Sequence, residues 1–311
     1  MSARHVAVDV VTGFLGSGKT TLLVHALAHG LAGKRVALVV NEIGEIGVDG
    51  KVVTGLNYVE KMVELSSGCI CCSIDEYRFD LAIQEIIETA RPDLIVIEST
   101  GLADPEPLAY RVKNAGLQLD AVITVVDAAH VERFLDETEV AAAQIAAADF
   151  LVVSKTDLAG PETLARVRAR LARLNPRALQ FVSLHGAVDA DVLFATDIAG
   201  HRARVAGVPP ATSAHLARDG FGSFAYRGRR PLEQVAFERL LHALPPDVIR
   251  AKGLVRLVDR DWHRVFNVTC GRVDLGWVKL EDDVETQAVF IGRGVDRHRD
   301  AVVAALAACE R

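Results

Sequence analysis

Short runs of Val, Ile and Leu alternate with segments of helical periodicity over roughly the first two-thirds of the chain. Near-continuous apolar runs of this length are typical of strands that are buried on both faces of a parallel sheet. The runs predict strands at His5–Val11, Arg35–Asn41, Met62–Leu65, Asp93–Glu98, Ala121–Asp127, Phe150–Ser154 and Ala178–Val182. The periodic segments predict helices at Thr20–His29, Arg78–Ala90, Ala128–Ala148 and Glu162–Leu174. This alternation indicates a doubly wound α/β domain with a mostly parallel sheet.

The pattern changes in the last third of the chain. A less regular stretch that contains Pro209 and Pro210 is typical of a linker. Beyond it the pattern predicts strands at Gly222–Tyr226, Leu254–Val258, His263–Cys270 and Ala288–Ile291, with helices at Leu232–Ala243 and Arg297–Cys309. We therefore predict a first domain over residues 1–205, a linker over 206–218 and a smaller α+β domain over 219–311.

The composition fits this picture and narrows the class of protein. Half of the 311 residues are hydrophobic, 24% are charged and 5% are aromatic, which allows a large aliphatic core and excludes disordered and fibrous classes. A formal net charge of −6 argues against nucleic acid or an acidic membrane as the main partner. The apolar runs are too short to span a membrane, and the N-terminus lacks the pattern of a secretory leader, so we expect a cytoplasmic protein.

The first predicted strand is followed by GFLGSGKT at residues 13–20, which matches the phosphate-loop pattern GxxxxGK[ST] and opens a helix. In this pattern the glycines let successive backbone amides converge on phosphate oxygens. The lysine reaches the β- and γ-phosphates, and the threonine hydroxyl binds Mg²⁺. The predicted nucleotide contacts are Gly13, Gly16, Ser17, Gly18, Lys19, Thr20 and Thr21.

Two further segments have the chemistry that a phosphate loop needs beside it. The strand ending at Glu98 places a carboxylate where it can ligate Mg²⁺ or orient the attacking water, and the Gly101 amide can sense the γ-phosphate. Residues 41–49 hold two glycines and three carboxylates after the second strand, as expected for a loop that closes on phosphate and Mg²⁺, although an ordinary acidic connection has the same composition.

The segment SKTD at residues 154–157 predicts how the base is chosen. Asp157 can accept both N–H donors of guanine, which adenine does not offer as a pair, and Lys155 would lie along the ring face. Ser154 stands where GTPases usually have Asn, which weakens the hydrogen bond expected to guanine O6/N7. Ser183, after the next strand, is a further candidate for the base pocket.

Three of the five cysteines, Cys69, Cys71 and Cys72, fall within four residues. Three thiolates leave the fourth tetrahedral position of a metal open, and Zn²⁺ suits this set best, ahead of Cu(I), Co²⁺ and Fe²⁺. A thiol redox pair, an apolar cysteine cluster and an iron–sulfur ligand set remain alternatives. We expect Cys270 and Cys309 to be core residues of a strand and a helix.

Taken together, these motifs resemble the CobW-type metallochaperone GTPases, a branch of the phosphate-loop GTPases that also holds nickel-inserting maturation factors. The resemblance covers nearly the whole chain. It rests on Gly13–Leu23, Val40–Asp49, Ser67–Cys72, Ile97–Pro105, Ser154–Gly160, Val248–Gly253 and Ile291–Asp296.

The resemblance implies a slow GTPase that uses GTP and Mg²⁺ and delivers a transition metal, with zinc favoured and Co²⁺ or Fe²⁺ as alternatives, to a client metalloprotein. It assigns the transferred metal to Cys69, Cys71 and Cys72. It makes Glu42 a carboxylate of the first switch on the metal or Mg²⁺ side, and Glu98 with Gly101 the second switch. His130 matches a histidine that some members place near a second metal site. Lys19, Glu98 and Gly101 are the expected catalytic residues.

Two other classes of function stay open. One is a phosphate-loop kinase of small molecules with a structural zinc site, and the other is a zinc-binding switch protein that does not hydrolyse its nucleotide. No nucleic acid or membrane partner is expected, and a homo-oligomer stays open.

Overall fold

The computed structural model describes residues 6–29, 31, 34–40, 59–64, 76–188, 190–194, 221–258, 260, 262–278 and 285–311, with the backbone alone for 59–64, 76–78, 191 and 278. The chain divides into two compact units, one within His5–Thr196 and the other within Asp197–Arg311. The predicted linker, 206–218, lies outside the described residues.

The N-terminal unit is a parallel α/β domain, as the alternation of apolar runs and helical segments predicts. Its strands are β1 (Ala7–Thr12), β2 (Val36–Val40), β3 (Val59–Glu64), β4 (Leu94–Glu98), β5 (Gln118–Asp127), β6 (Phe150–Ser154) and β7 (Leu179–Val182). Its helices are α1 (Lys19–His29), α2 (Glu76–Ala90), α3 (Pro105–Asn114), α4 (Val131–Glu137), α5 (Glu139–Ala146), α6 (Pro161–Leu174) and α7 (Ala190–Leu193). The sheet order is β3-β2-β4-β1-β5-β6-β7, with every described strand pair parallel.

The core of this unit explains why the strands are so uniformly apolar. Strands β2, β4 and β6 are buried along their whole length, because helices cover the sheet. One apolar cluster joins strands of the sheet to α2 and α3 through Phe79, Ile83 and Leu108. A second joins β5 and β6 to α4, α5 and α6.

The carboxyl ends of the parallel strands meet at one edge of the sheet, and this edge positions the candidate site. Glu98, the last residue of β4, is in register with Val11 of β1 and Val40 of β2. At the other side of β1, Asp127 of β5 is in register with Ser154 of β6. Side chains that are far apart in the sequence are therefore brought to one edge.

The helices of the N-terminal unit differ from the prediction in three places, one of which is the short α7, which was not predicted. The single helix predicted over Ala128–Ala148 is two helices, because Thr138 has an extended backbone between them and its hydroxyl accepts a hydrogen bond from the Val140 amide at 2.9 Å. Helix α3 was not predicted, although Asp104 caps it by accepting from the Glu106 amide and Pro105 opens it.

The C-terminal unit is a five-stranded antiparallel sheet with helices, in agreement with the predicted α+β class. Its strands are β8 (Phe221–Gly228), β9 (Val248–Arg256), β10 (His263–Thr269), β11 (Arg272–Val278) and β12 (Thr286–Arg293), in the order β11-β10-β9-β12-β8. Helices α8 (Gln234–His242) and α9 (Arg299–Ala308), with a 3₁₀ turn at Val295–His298, complete it. An apolar cluster including Phe237, Phe266 and Phe290 forms its core.

The prediction for Cys270 was wrong. Cys270 and Gly271 form a tight turn between β10 and β11 with positive φ angles of 47° and 82°, so Cys270 is a half-buried turn residue rather than part of a strand core. The strand that follows the turn, β11, was not predicted. Cys309 is buried, as expected, at the C-terminal end of α9.

No helix within the described ranges is long and apolar enough to cross a membrane.

Candidate functional site

The phosphate loop connects β1 to α1, and its conformation depends on Gly13. The φ angle of Gly13 is 136°, and a Cβ atom there would lie 2.2 Å from the Val125 carbonyl oxygen, so no other residue fits. The Lys19 ammonium donates to the Gly13 carbonyl at 2.9 Å and approaches that of Phe14 at 3.4 Å. The Phe14 ring stacks on Phe134 of α4, with centroids 4.2 Å apart. The loop is therefore shaped by a glycine, bound internally by its lysine and packed against α4.

A cavity of about 210 Å³ opens beside this loop. It is lined by the phosphate loop and α1, by the ends of β5 and β6, and by the loop after β7. The lining residues are Ser17, Gly18, Thr21, Leu22, Val125, Val152, Ser154, Lys155, Asp157, Ser183, His185 and Gly186. Six residues predicted to bind nucleotide thus share one cavity: Ser17, Gly18, Thr21, Lys155, Asp157 and Ser183.

Two hydroxyl groups in the cavity wall lack a partner within the described part of the chain. The Ser17 and Ser183 side chains are fully buried, and neither hydroxyl oxygen makes a hydrogen bond. A buried polar group without a partner is costly, so a wall of this kind suits a polar ligand that supplies the missing hydrogen bonds.

Ser154 connects three elements of this wall. Its hydroxyl donates to the Ser17 carbonyl at 2.6 Å and lies 3.2 Å from the Val126 carbonyl of β5. The side chain therefore ties the end of β6 to the phosphate loop. Other GTPases usually have Asn at this position, where it contacts the guanine base. In this structure the Ser154 hydroxyl instead contacts backbone carbonyls.

The buried carboxylate of Asp127, at the end of β5, holds the base-motif lysine. It accepts hydrogen bonds from the Lys155 ammonium at 2.9 Å, the His130 ring at 3.0 Å and the Ala129 amide at 2.9 Å. Burial opposes ionisation of Asp127, but these hydrogen bonds outweigh it and hold the pKa of Asp127 below its ordinary value. The sequence predicts that Lys155 lies along the face of the base. In the structure its ammonium group binds the carboxylate of Asp127, which lies outside the SKTD segment.

A tight turn forms the far wall of the cavity. Leu184 and Ala187 form a bridge around His185 and Gly186, whose φ angles are 51° and 80°. The Ser183 amide donates to the Val153 carbonyl at 2.8 Å, which fixes the start of the turn to β6. The turn is therefore anchored to the sheet, with His185 at the cavity.

The predicted second switch lies directly against the phosphate loop. Glu98 is buried at the end of β4, and the Ser99 hydroxyl donates to the Thr12 hydroxyl at 2.7 Å. A Cβ atom on Gly101 would lie 2.6 Å from the Leu15 amide nitrogen, so only glycine allows this contact. The phosphate loop and the segment after β4 therefore share one packed surface.

Several predicted site residues fall elsewhere. Glu42, Cys69, Cys71 and Cys72 lie outside the described residues. Gly16 and Thr20 belong to the phosphate loop and the first turn of α1 but do not line the cavity. In the part of the chain that the structure describes, His130 binds Asp127 and no three His, Cys, Asp or Glu side chains group around a metal position.

The sequence contained signals for residues that the prediction missed. Asp127 is a carboxylate at the end of a buried strand, the same feature that singled out Glu98. Gln144 is a buried amide in an otherwise apolar stretch of α5, and its side chain binds the Gly101 and Ala103 carbonyls. His185 lies two residues after Ser183, the predicted base-pocket residue.

Two family models match the chain. Residues 7–182 match the CobW/HypB/UreG nucleotide-binding domain, and residues 221–310 match the cobalamin synthesis protein CobW C-terminal domain.

Two curated proteins and one solved structure are similar to this chain. The zinc chaperone CobW of a Sinorhizobium species is 30% identical over 308 residues, which is 86% of each chain. The zinc chaperone YjiA of Escherichia coli is 36% identical over 201 residues, but the match spans only 62% of either chain. Among solved structures, the Zn(II)-bound YjiA GTPase from E. coli matches 98% of this chain and 99% of its own, at 24% identity and a TM-score of 0.47.

Proposed function

The chain belongs to the CobW/HypB/UreG family, and from this membership we propose that it is a GTPase that binds a transition metal and delivers it to a client protein. The observation that carries the proposal is the cavity beside the phosphate loop. Its wall combines Ser17 and Gly18 with Lys155, Asp157 and Ser183, residues that three separate segments contribute.

We assign the base to this cavity. Asp157 lies at the wall, where its carboxylate would accept the paired N–H donors of guanine, and the buried Ser183 hydroxyl would gain the hydrogen bond that it lacks within the described residues. Adenine would leave the carboxylate unpaired, so GTP is favoured over ATP.

The phosphates would lie along the phosphate loop. Lys19 now binds the Gly13 and Phe14 carbonyls, and phosphate oxygens would replace these weaker acceptors with charged ones. The Thr20 hydroxyl and the buried Glu98 carboxylate are oxygen donors of the kind that Mg²⁺ prefers, so the donor set fits that ion. Bound there, Mg²⁺ would neutralise charge on the β- and γ-phosphates.

Hydrolysis requires a water molecule to attack the γ-phosphorus while the bond to the β–γ bridging oxygen breaks, leaving GDP and inorganic phosphate. Glu98 would orient this water, and Lys19 would stabilise charge that develops on the phosphate oxygens. The Gly101 amide would sense whether the γ-phosphate is present, since Gly101 packs against Leu15 of the phosphate loop.

We assign the transported metal to the thiolates of Cys69, Cys71 and Cys72, with Glu42 as an accompanying carboxylate. Strand β2 ends two residues before Glu42, and β3, which precedes the cysteines, pairs with β2 through Val40 and Glu64. Strands β2 and β3 thus both end at the sheet edge at which β4 ends with Glu98. Zinc is the favoured cargo because relatives are zinc chaperones and three thiolates suit Zn²⁺, with Co²⁺ and Fe²⁺ as alternatives.

The test is a Zn²⁺ titration with GDP and with a non-hydrolysable GTP analogue. We expect the two affinities for zinc to differ by about 5- to 150-fold, the usual size of such coupling. Equal affinities would contradict nucleotide control of the metal.

Paired variants separate the two activities. Lys19→Ala should abolish phosphate release from GTP and keep zinc binding, whereas Cys71→Ala should lose zinc binding. Lys113→Ala, an exposed lysine on α3, and Cys270→Ser, in the turn of the C-terminal unit, are the matched controls. Wild-type zinc affinity in Cys71→Ala would remove the cysteine assignment.

A further inference from the structure

Gln144 is a buried polar residue whose hydrogen bonds connect several segments of the N-terminal unit. Its side chain is 1% exposed, and its amide nitrogen donates to the Gly101 carbonyl at 3.1 Å and to the Ala103 carbonyl at 3.0 Å. The backbone carbonyl of Gln144 accepts from the Thr124 hydroxyl of β5 at 2.7 Å. The residue therefore links the segment after β4 to α5 and to the central sheet.

The turn at residues 101–103 lies between Gln144 and the phosphate loop. Gly101 contacts Leu15 so closely that a Cβ atom would come within 2.8 Å of the Leu15 Cα. The Ala103 amide closes the turn on the Thr100 carbonyl at 3.1 Å. The turn is thus in contact with the phosphate loop on one side and bound to Gln144 on the other. A displacement of the phosphate loop would therefore act on this turn.

The helix that carries Gln144 is itself firmly held. The Asn175 side chain donates to the carbonyls of Ile145, Ala146 and Ala148 at 2.8 to 3.1 Å, and Thr138 caps the other end of the helix. Gln144 is thus a fixed point against which the turn is placed.

We propose that Gln144 is a positioning residue for the response to the γ-phosphate. Its two hydrogen bonds hold the turn against the phosphate loop, in the arrangement that favours GTP over GDP. Without the donor, the Gly101 and Ala103 carbonyls would turn toward water, and Gly101 would move away from Leu15. The inference rests on the proposed nucleotide site and adds to it a residue that never touches nucleotide.

The experiment measures the ratio of two affinities, for a non-hydrolysable GTP analogue and for GDP, in the full chain. Gln144→Met keeps the length of the side chain and removes the donor. We expect the ratio to fall about tenfold through loss of analogue affinity, with GDP affinity changed by less than about twofold, because GDP has no γ-phosphate.

Gln144→Glu adds a test that depends on pH. At about pH 8 its carboxylate would face two carbonyl oxygens and repel the turn, so the ratio should fall below that of Gln144→Met. Toward about pH 6 a carboxyl in this buried position gains a proton and can donate one hydrogen bond, so the ratio should recover. A residue that serves only the stability of the fold would not produce this profile.

Gln180→Met is the matched control, because it makes the same substitution at a side chain of the edge strand β7 that donates to the Arg168 carbonyl at 3.0 Å. It should leave the ratio unchanged. A wild-type ratio in Gln144→Met, or an equal fall in Gln180→Met, would overturn the proposal. If Gln144→Met does not fold, a Gln144→Glu ratio that stays at the wild-type value at every pH overturns it.

The ratio also separates this inference from the proposed function. A wild-type protein that binds both nucleotides but releases no phosphate would contradict GTP hydrolysis and still permit the test of Gln144. A protein that binds neither nucleotide would contradict both.

Discussion

At the scale of single residues, Asp127 joins parts of the candidate nucleotide site that are distant in the sequence. Its carboxylate binds Lys155 of the base motif on one side and His130 on the other. The His130 ring stacks on Phe134 at a centroid distance of 6.2 Å, and Phe134 in turn stacks on Phe14 of the phosphate loop. The position of Lys155 therefore depends on the charge of a residue outside the recognised motifs.

We predict that Asp127→Asn lowers the free energy of unfolding by about 2 kcal/mol at neutral pH, because Lys155 loses a buried charged acceptor. The pKa of Asp127 is lowered in the folded protein, so its contribution is present above the unfolded pKa and is lost as pH falls through the folded pKa. The difference between wild type and variant should shrink as the pH falls from about 5 into the acid range below the ordinary pKa of aspartate. Urea unfolding across this range measures it.

The control for this prediction is Asp136→Asn. Asp136 is exposed and paired with Arg170 at 2.7 Å, and an exposed pair contributes little to stability. A stability difference for Asp127→Asn that persists unchanged into acid would show that the ionised carboxylate is not the cause.

The placement of candidate site residues was predictable where a local sequence pattern carries it. The glycines and lysine of the phosphate loop follow from a contiguous motif, and the structure places Lys155, Asp157 and Ser183 around the same cavity. Their roles toward GTP stay predictions. The contact of Ser154 with the Ser17 carbonyl was not predictable, because it depends on how the end of β6 meets a loop 137 positions earlier.

At the scale of elements, the break between α4 and α5 shapes the site. Thr138 ends one helix and caps the next, which directs α5 so that Gln144 reaches the 101–103 turn. Apolar periodicity alone continues through this point, and the sequence pattern therefore predicted one long helix. A capping threonine competes with helix continuation, and the tertiary contacts of Gln144 and Asn175 decide the outcome.

We predict that Thr138→Ala lowers the free energy of unfolding by about 1 kcal/mol, because the Val140 amide loses its acceptor. Thr138→Ser should retain most of the stability. Chemical denaturation of both variants measures the difference.

Thr89→Ala provides the comparison, since the Thr89 hydroxyl bonds the Glu85 carbonyl within an exposed stretch of α2. It should change stability by less than about 0.5 kcal/mol. Equal losses in Thr138→Ala and Thr138→Ser would exclude a capping role for the hydroxyl.

The fold class was predictable because buried parallel strands and amphipathic helices differ in the spacing of apolar residues along the sequence. Strands that carry charges were harder to predict: β9 runs from Val248 and contains Arg250 and Lys252, yet only its last part was predicted. Strand β11 interrupts its apolar positions with Asp274 and Gly276, so its pairing with β10 decides its conformation. Both of these strands lie in the antiparallel sheet, where pairing with distant strands outweighs the local conformational preference of the residues.

At the scale of the whole molecule, the two units have separate apolar cores. The cluster around Phe237 and Phe266 lies within the C-terminal unit, and the clusters around Phe79 and Leu151 lie within the N-terminal unit. The predicted nucleotide residues belong to the N-terminal unit alone.

We predict that GDP stabilises the two units unequally. Binding to the folded N-terminal unit should raise its unfolding transition, by about 2.7 kcal/mol in stability at a ligand concentration 100 times the Kd, while the C-terminal transition stays in place. Calorimetry with and without GDP measures both transitions. A single transition that moves as a whole would contradict independent unfolding.

The two tryptophans of the chain, Trp262 and Trp277, both belong to the C-terminal unit. Both are partly exposed, and the Arg264 guanidinium lies 4.2 Å from the centre of the Trp277 ring. Excitation at the red edge of protein absorbance therefore produces emission from the C-terminal unit alone. Any change in that emission when nucleotide enters the other unit would be a direct optical record of communication between them, obtained without a dye.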